Sequence, residues 1–194
     1  MADPSLPQTA TILARGGCTV TLVHEPPRLL PEVDESLVKV MARGFRELGV
    51  TITQGPIPDD CDWIALSPSR RGCTDDLNLP AGGVEVDDRG FVLRNGATLR
   101  CGDAKVYAVG DVTGHPMIAS RAIAEGLVAA RRICGEEAVC DTWTWATCVL
   151  GPIPLAFCGL TEADVEKASI PHRVLSPSLG QSGIAVAMGH ARGV

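Results

Sequence analysis

A predicted strand that ends in Gly110-Asp111 and leads into a helix is the part of this sequence best suited to chemistry. Glycine lets the backbone approach a bound molecule closely, and the Asp111 carboxylate can accept hydrogen bonds from hydroxyl groups. The helix that we expect to begin near Met117 presents free N–H groups at its positive end, which suits an electron-rich group. The alternative is an ordinary turn between a strand and a helix, with an N-cap.

Other reactive residue types do not form a catalytic pattern. No two of the eight cysteines form a C-x2-C pair, which argues against a zinc ribbon or a thioredoxin-like motif, and most are expected to be small interior hydrophobes. Four histidines lack partners at metal-ligand spacing and are expected at the surface: His24, His115, His172 and His190. Three acidic pairs suit solvated turns better than an acid–base dyad: Asp59-Asp60, Asp75-Asp76 and Asp87-Asp88.

The composition is that of a globular chain, with 45% hydrophobic and 21% charged residues among 194. A net charge of −6 without a basic stripe argues against nucleic-acid binding. No apolar run approaches the roughly 20 residues that span a bilayer, so a membrane partner is not expected. Because the N-terminal residues do not resemble a secretory signal, we expect a cytoplasmic location with reduced thiols.

The first third of the chain has the pattern of a parallel sheet covered by helices. Residues 7–15 predict a short helix that ends at Gly16-Gly17, and a β-branched strand follows over residues 18–25. Residues 34–48 predict a second helix, and residues 50–53 a second strand. The apolar residues of the second helix follow helical spacing: Leu37, Met41, Phe45 and Leu48.

Further along, Trp63–Leu66 is a strand candidate, and residues 84–100 predict small antiparallel hairpins. Their turns are expected at Asp88-Arg89-Gly90 and at Asn95-Gly96, the second as a type I′ turn. Val106–Val109 predicts a buried strand. A long helix over residues 118–134 carries an apolar side made of Ile123, Leu127, Ala130 and Ile133. Strand-like and turn-like pieces follow, with a domain boundary near residues 136–141.

The run VYAVGDVTGHPMIASRAIAEGLVAARRI, residues 106–133, resembles the second flavin-contact motif of one enzyme family. That family is the FAD-dependent pyridine nucleotide–disulfide oxidoreductases, which include dihydrolipoamide dehydrogenase, glutathione reductase and mercuric reductase. The resemblance implies that Asp111 contacts the ribitol chain of FAD and that Gly110 allows close approach. It also implies that three residues lie next to the isoalloxazine ring: Met117, Ile118 and Ala119.

Weaker resemblances to the same family follow in the right order along the chain. They imply an α/β fold in three parts: a Rossmann-like NAD-domain remnant over residues 1–82, the C-terminal half of an FAD domain over residues 83–137, and the start of an α+β interface domain over residues 138–194. CGLTEADVEKA resembles the interface domain, and AVAMGHARGV the start of its first long strand pair.

The sequence departs from this family at the nicotinamide motifs. Large or charged residues stand where the fingerprint G-x-G-x-x-G needs glycine, and prolines remove loop donors: Met1, Asp3 and Leu6, with Pro4 and Pro7. His24 replaces the acidic residue expected on the adenosine ribose, and Glu25 is its candidate substitute. The A-T-G-R motif retains only Arg70. NAD(P) binding is therefore not expected.

The two redox centres of the family are also missing from the sequence, which contains neither the C-x4-C pair nor the H-P-T…E segment. We therefore expect a broken-off or degenerate member that does not turn over alone. FAD would bind weakly, or only with a complementary polypeptide; a homodimer is a further possible assembly. Two alternatives remain open: a non-catalytic interaction module (a pseudoenzyme) and a truncated reading frame without independent function.

Overall fold

A computed structural model of the chain describes residues 5–25, 28–103, 105–141, 145–189, 191 and 193. The fingerprint positions Met1 and Asp3, with Pro4 and His190, lie outside these residues. The chain divides into two compact units, one formed by Met1–Ser67 with Cys148–Val194 and the other by Pro68–Thr147. Within the described residues, no helix combines the length and apolar character that crossing a membrane requires.

The first unit begins with a helix, a strand, a helix and a strand, as the sequence predicts. These are α1 (Ser5–Arg15), β1 (Thr21–His24), α2 (Glu35–Glu47) and β2 (Thr51–Gln54). Strands β1 and β2 are parallel neighbours, with registers running from Thr21 opposite Thr51 to His24 opposite Gln54. A parallel pair needs a crossover connection, and α2 supplies it. The predicted β–α–β arrangement is thus confirmed.

The core of the first unit explains why these elements form. Met41 and Phe45 of α2 are fully buried, and Leu37 and Leu48 pack against the same cluster, so the predicted helical stripe faces the interior. Leu6 also packs there, in the first turn of α1. The strands β3 (Thr147–Val149) and β4 (Leu155–Phe157) pair with each other and add apolar side chains to this core: Val149, Leu155 and Phe157.

The last helix of the described residues lies where the start of a strand pair was expected. Helix α4 (Glu162–Lys167) begins with a reciprocal capping box between Thr161 and Asp164, which confirms the short helix predicted there. The sequence AVAMG was expected to begin a strand, and that prediction is wrong. Its first three residues, 185–187, lie in helix α5 (Gly183–Ala187), because the Ser182 hydroxyl accepts from the Ala185 amide and starts a helix turn.

The second unit has little regular secondary structure before its helix. Short 3-10 turns span Asp75–Leu77, Leu79–Gly82 and Gly110–Thr113, and helix α3 spans Ala119–Ile133, as predicted. The first predicted hairpin is reduced to an isolated antiparallel bridge between Val86 and Val92. A second isolated bridge, between Arg100 and Tyr107, spans a turn that was not predicted. Gly90 has a φ of 78° at the first hairpin turn, where the sequence places it.

Three further predictions of local structure are wrong. Trp63–Leu66 forms no strand: none of the described residues pairs with it, and Trp63 is 93% exposed. Val106–Val109 pairs only at Tyr107, in an isolated bridge that is too short for a strand. Asn95-Gly96 does not form a type I′ turn, since neither residue has a positive φ. Instead, the Asn95 side-chain oxygen accepts from two backbone amides, those of Ala97 and Thr98.

The cysteines also differ from the prediction that most lie in the interior. Only Cys101 and Cys140 are buried, while the other six are exposed. The short strands and many turns of this chain leave few interior positions, and local sequence does not tell which of them a cysteine takes. Burial raises the pKa of both interior thiols, and for Cys140 the negative charge of Glu125 adds to the effect.

We expect the two buried thiols to resist alkylation in the folded chain at about pH 8, because their raised pKa keeps them protonated. Mass spectrometry after brief iodoacetamide treatment should find the label first on exposed thiols: Cys18, Cys61, Cys73, Cys134 and Cys148. A raised thiol pKa stabilises the fold below the ordinary thiol value, and this contribution is lost as the pH rises through the raised one. Labelling of Cys101 and Cys140 at the same rate as the exposed thiols would contradict their burial.

Candidate functional site

Six of the seven candidate site residues lie in the second unit. Gly110 and Asp111 begin the 3-10 turn Gly110–Thr113, and Met117, Ile118 and Ala119 stand at the start of α3. Arg70 joins them, because its Nη1 lies 3.9 Å from the Sδ of Met117. Glu25 follows β1 in the first unit, where its carbonyl accepts from Nδ1 of His24 at 3.0 Å. Its side chain is exposed.

Gly110 has the backbone conformation for which glycine is selected. Its φ is 73°, and a Cβ built at this position would lie 3.2 Å from the Cβ of Ala122 on α3. The residue is buried, whereas Asp111 next to it is exposed. The turn therefore packs closely on the helix while the Asp111 carboxylate faces outward, where a hydroxyl donor could reach it.

The start of α3 is open in a way that suits an acceptor. Its N-cap is Ile118, which makes no side-chain capping bond to the first amides. Ala119 and Ser120, which follow, are small and exposed. Neither side chain is large enough to cover the free N–H groups of the first turn. A 15-residue helix places the positive end of its dipole at this position.

A buried ionic cluster beneath the turn was not predicted. We call it the Glu125 cluster: the Glu125 carboxylate with the guanidinium groups of Arg94 and Arg121. The Glu125 side chain is 0% exposed, and those of Arg121 and Arg94 are 3% and 9% exposed. The Oε1 atom of Glu125 accepts from Arg94 Nη2 at 2.5 Å and from Arg121 Nε at 2.7 Å. These pairs are charge-assisted and water-excluded.

The sequence held one signal for this cluster. Arg121 and Glu125 are four residues apart on a helix rich in small residues, which places them on the same side. Amphipathic patterning instead suggests that the apolar side of this helix, with Ile123, Leu127 and Ile133, is the buried one, yet those three side chains are exposed. Trp145 packs over the Arg121 guanidinium, 5.4 Å from its ring centre.

Comparisons with known proteins agree on one family. The sequence profile described as "Pyridine nucleotide-disulphide oxidoreductase" matches residues 8–58. The chain is similar to dihydrolipoyl dehydrogenase of Thermus scotoductus, at 30% identity over 94% of this chain and 44% of the relative. It is also similar to dihydrolipoyl dehydrogenase of Bacillus subtilis, at 35% identity over 67% of this chain and 29% of the relative. The chain thus spans less than half the length of these relatives.

A solved structure with a similar fold is the HOCl-induced flavoprotein disulfide reductase RclA from Escherichia coli. The TM-score is 0.83 at 20% identity, and the similarity covers 98% of this chain and 48% of RclA. This similarity supports the predicted α/β fold class with a Rossmann-like part.

Proposed function

The chain belongs to the pyridine nucleotide-disulphide oxidoreductase family, and from that premise we propose that it provides a flavin-contacting element for electron transfer between NAD(P)H and a disulfide or quinone. The exposed Asp111 carboxylate, set on a buried glycine turn beside an uncapped helix start, carries the proposal. FAD would supply the two-electron redox chemistry when bound.

The residues present fit such a group. Asp111 would accept hydrogen bonds from ribitol hydroxyls, and the close packing of Gly110 on Ala122 leaves the carboxylate at the surface of the turn. The free amides at the start of α3, with Met117 and Ile118 before them, would lie next to the isoalloxazine ring. Arg70 beside Met117 adds a positive charge at this end. We propose no bond for Glu25 beyond its predicted place near an adenosine ribose.

Turnover by the chain alone is not part of this proposal. Thiol–disulfide exchange needs a thiolate and a proton-managing group held together, and the sequence has no C-x4-C pair. We propose that a complementary polypeptide, or a second copy of the chain, completes the site. NAD(P) binding is still not expected, since Leu6 packs into the core where the fingerprint needs a third glycine. The three-part domain division and the cytoplasmic location stay predictions.

A non-catalytic interaction module is the second candidate. The exposed apolar side of α3, formed by Ile123, Leu127 and Ile133, favours it, because large apolar side chains grouped on one surface are typical of binding surfaces. Flavin binding separates the two candidates. Visible flavin absorbance that stays with the purified chain after FAD is added supports the first candidate. Its absence, alone and with a polypeptide that carries the C-x4-C pair, favours the second.

Asp111→Asn is expected to weaken FAD binding about tenfold or more, because the charged acceptor of the ribitol hydroxyls becomes a neutral amide. Flavin fluorescence quenching on titration of the chain with FAD measures the dissociation constant. Asp88→Asn is the matched control, since it removes an exposed carboxylate from a hairpin turn of the same unit. Equal affinities for the two variants would remove Asp111 from the proposed site.

A further inference from the structure

The Glu125 cluster has one bond that its ionic pairs do not explain. The Oε2 atom of Glu125 accepts from the backbone amide of Gly110 at 2.8 Å, across 15 residues of chain. The charge of Glu125 is already balanced by two arginines on its other oxygen, Oε1. The Gly110 amide therefore donates a charge-assisted hydrogen bond to a carboxylate that both guanidinium groups hold in place.

The other end of the turn is held by the same cluster. Nη1 of Arg121 donates to the carbonyls of Gly114 at 2.5 Å and Pro116 at 2.8 Å, and its Nη2 bonds the Thr113 hydroxyl. The Thr113 hydroxyl in turn donates to the Gly110 carbonyl at 2.9 Å. Residues 110–116 are thus fixed from the inside at both ends.

Asp111 is the residue that this arrangement leaves outside. Its side chain is exposed, while Gly110 before it is buried and is held with φ at 73°. The amide belongs to Gly110, and the backbone conformation of Gly110 sets where the Asp111 carboxylate points. A bond to that amide therefore controls the direction of Asp111 more directly than the bonds further along the turn do.

We infer that Glu125 is a positioning residue, which sets the backbone of Gly110 and through it the direction of the Asp111 carboxylate toward a hydroxylated ligand. This inference rests on the proposed flavin contact of Asp111. A position needed for packing alone would be filled at lower cost by an apolar side chain, because burying an ion pair usually gains little over hydrophobic packing. The hydrogen bond from the Gly110 amide gives the buried carboxylate a role that an apolar residue could not take.

The test compares Glu125→Gln with Val84→Ala, which removes buried apolar volume from a separate cluster of the same unit. Glu125→Gln should weaken FAD binding about tenfold or more. It should also speed hydrogen exchange of the Gly110 amide, measured by NMR on the full chain. Val84→Ala should change neither one by more than about twofold, even where it lowers the melting temperature as much.

Should Glu125→Gln fail to fold, Thr113→Val takes its place, because it removes only the hydroxyl that links Gly110 to Arg121. The positioning role would be overturned if FAD binding fell in proportion to the melting temperature, and equally so, in the cluster variant and in Val84→Ala. If the parent chain binds no FAD, the proposed function fails. The exchange measurement then decides whether Glu125 positions the Gly110 backbone. Faster Gly110 exchange in the cluster variant but not in Val84→Ala supports positioning, and equal exchange overturns it.

Discussion

Arg121→Met is expected to lower the free energy of unfolding by about 3 kcal/mol, because it leaves the buried Glu125 carboxylate with only one of its two cations. The same change removes the donors to the Gly114 and Pro116 carbonyls. Methionine fills most of the volume of the arginine stem, so the loss is that of the charge and its hydrogen bonds rather than of packing. Urea unfolding followed by circular dichroism measures the difference.

The chain offers a matched control on another helix. Lys39 and Glu35 on α2 are also four residues apart, and their N–O distance is the same 2.7 Å as that between Arg121 and Glu125. Their side chains are 73% and 64% exposed, however. Lys39→Met should therefore cost no more than about 0.5 kcal/mol. Equal losses in the two variants would show that burial does not set the strength of the Arg121 pair.

The parts of the fold that local patterns determine were predicted well. Helix α2 follows from one apolar residue per turn, which buries Met41 and Phe45 together, and Gly49 follows its end with a φ of 80°. The parallel pairing of β1 with β2 follows from the helix between them. In these cases the feature that decides the structure lies within the element itself or in the segment that joins two consecutive strands.

Other elements depend on residues that are distant in sequence. The apolar run from Trp63 to Leu66 suits a strand, but a strand needs a neighbouring edge to bond, and no described residue offers one. Asn95-Gly96 suits a type I′ turn, yet bonds from two amides to the Asn95 side chain give a wider turn in which Leu99, with a φ of 63°, takes the left-handed conformation.

The candidate site divides along the same line. Gly110 and Asp111 could be predicted as candidates because a strand-like segment, a glycine and a helix follow each other directly. The complete Glu125 cluster could not, because Arg94 lies 31 residues from Glu125 and burial of the charged side of a helix runs against amphipathic patterning. The proximity of Arg70 to Met117 likewise joins two motifs that the sequence assigns to different cofactors.

Gly72→Ala is expected to disrupt the segment that carries Arg70 and to cost about 3 kcal/mol. A Cβ at residue 72 would lie 2.0 Å from the Gly90 carbonyl oxygen, and a Cβ at residue 90 would lie 2.7 Å from that of Gly72. Two backbones therefore meet where neither can carry a side chain. Two hydrogen bonds stabilise the contact. The Gly72 amide donates to the Arg89 carbonyl at 2.9 Å, and the Arg89 guanidinium donates to the Arg70 carbonyl at 2.5 Å.

Gly82→Ala is the control for this prediction, since a Cβ there meets nothing within 4 Å and its φ is outside the left-handed range. It should leave the free energy of unfolding within about 0.5 kcal/mol of the parent value. Because the Gly72 contact holds the backbone of Arg70, Gly72→Ala should also move that guanidinium away from Met117, which the methyl resonance of Met117 would report. A stable Gly72→Ala chain with an unshifted methyl resonance would contradict the close approach, and with it the placement of Arg70 beside the start of α3.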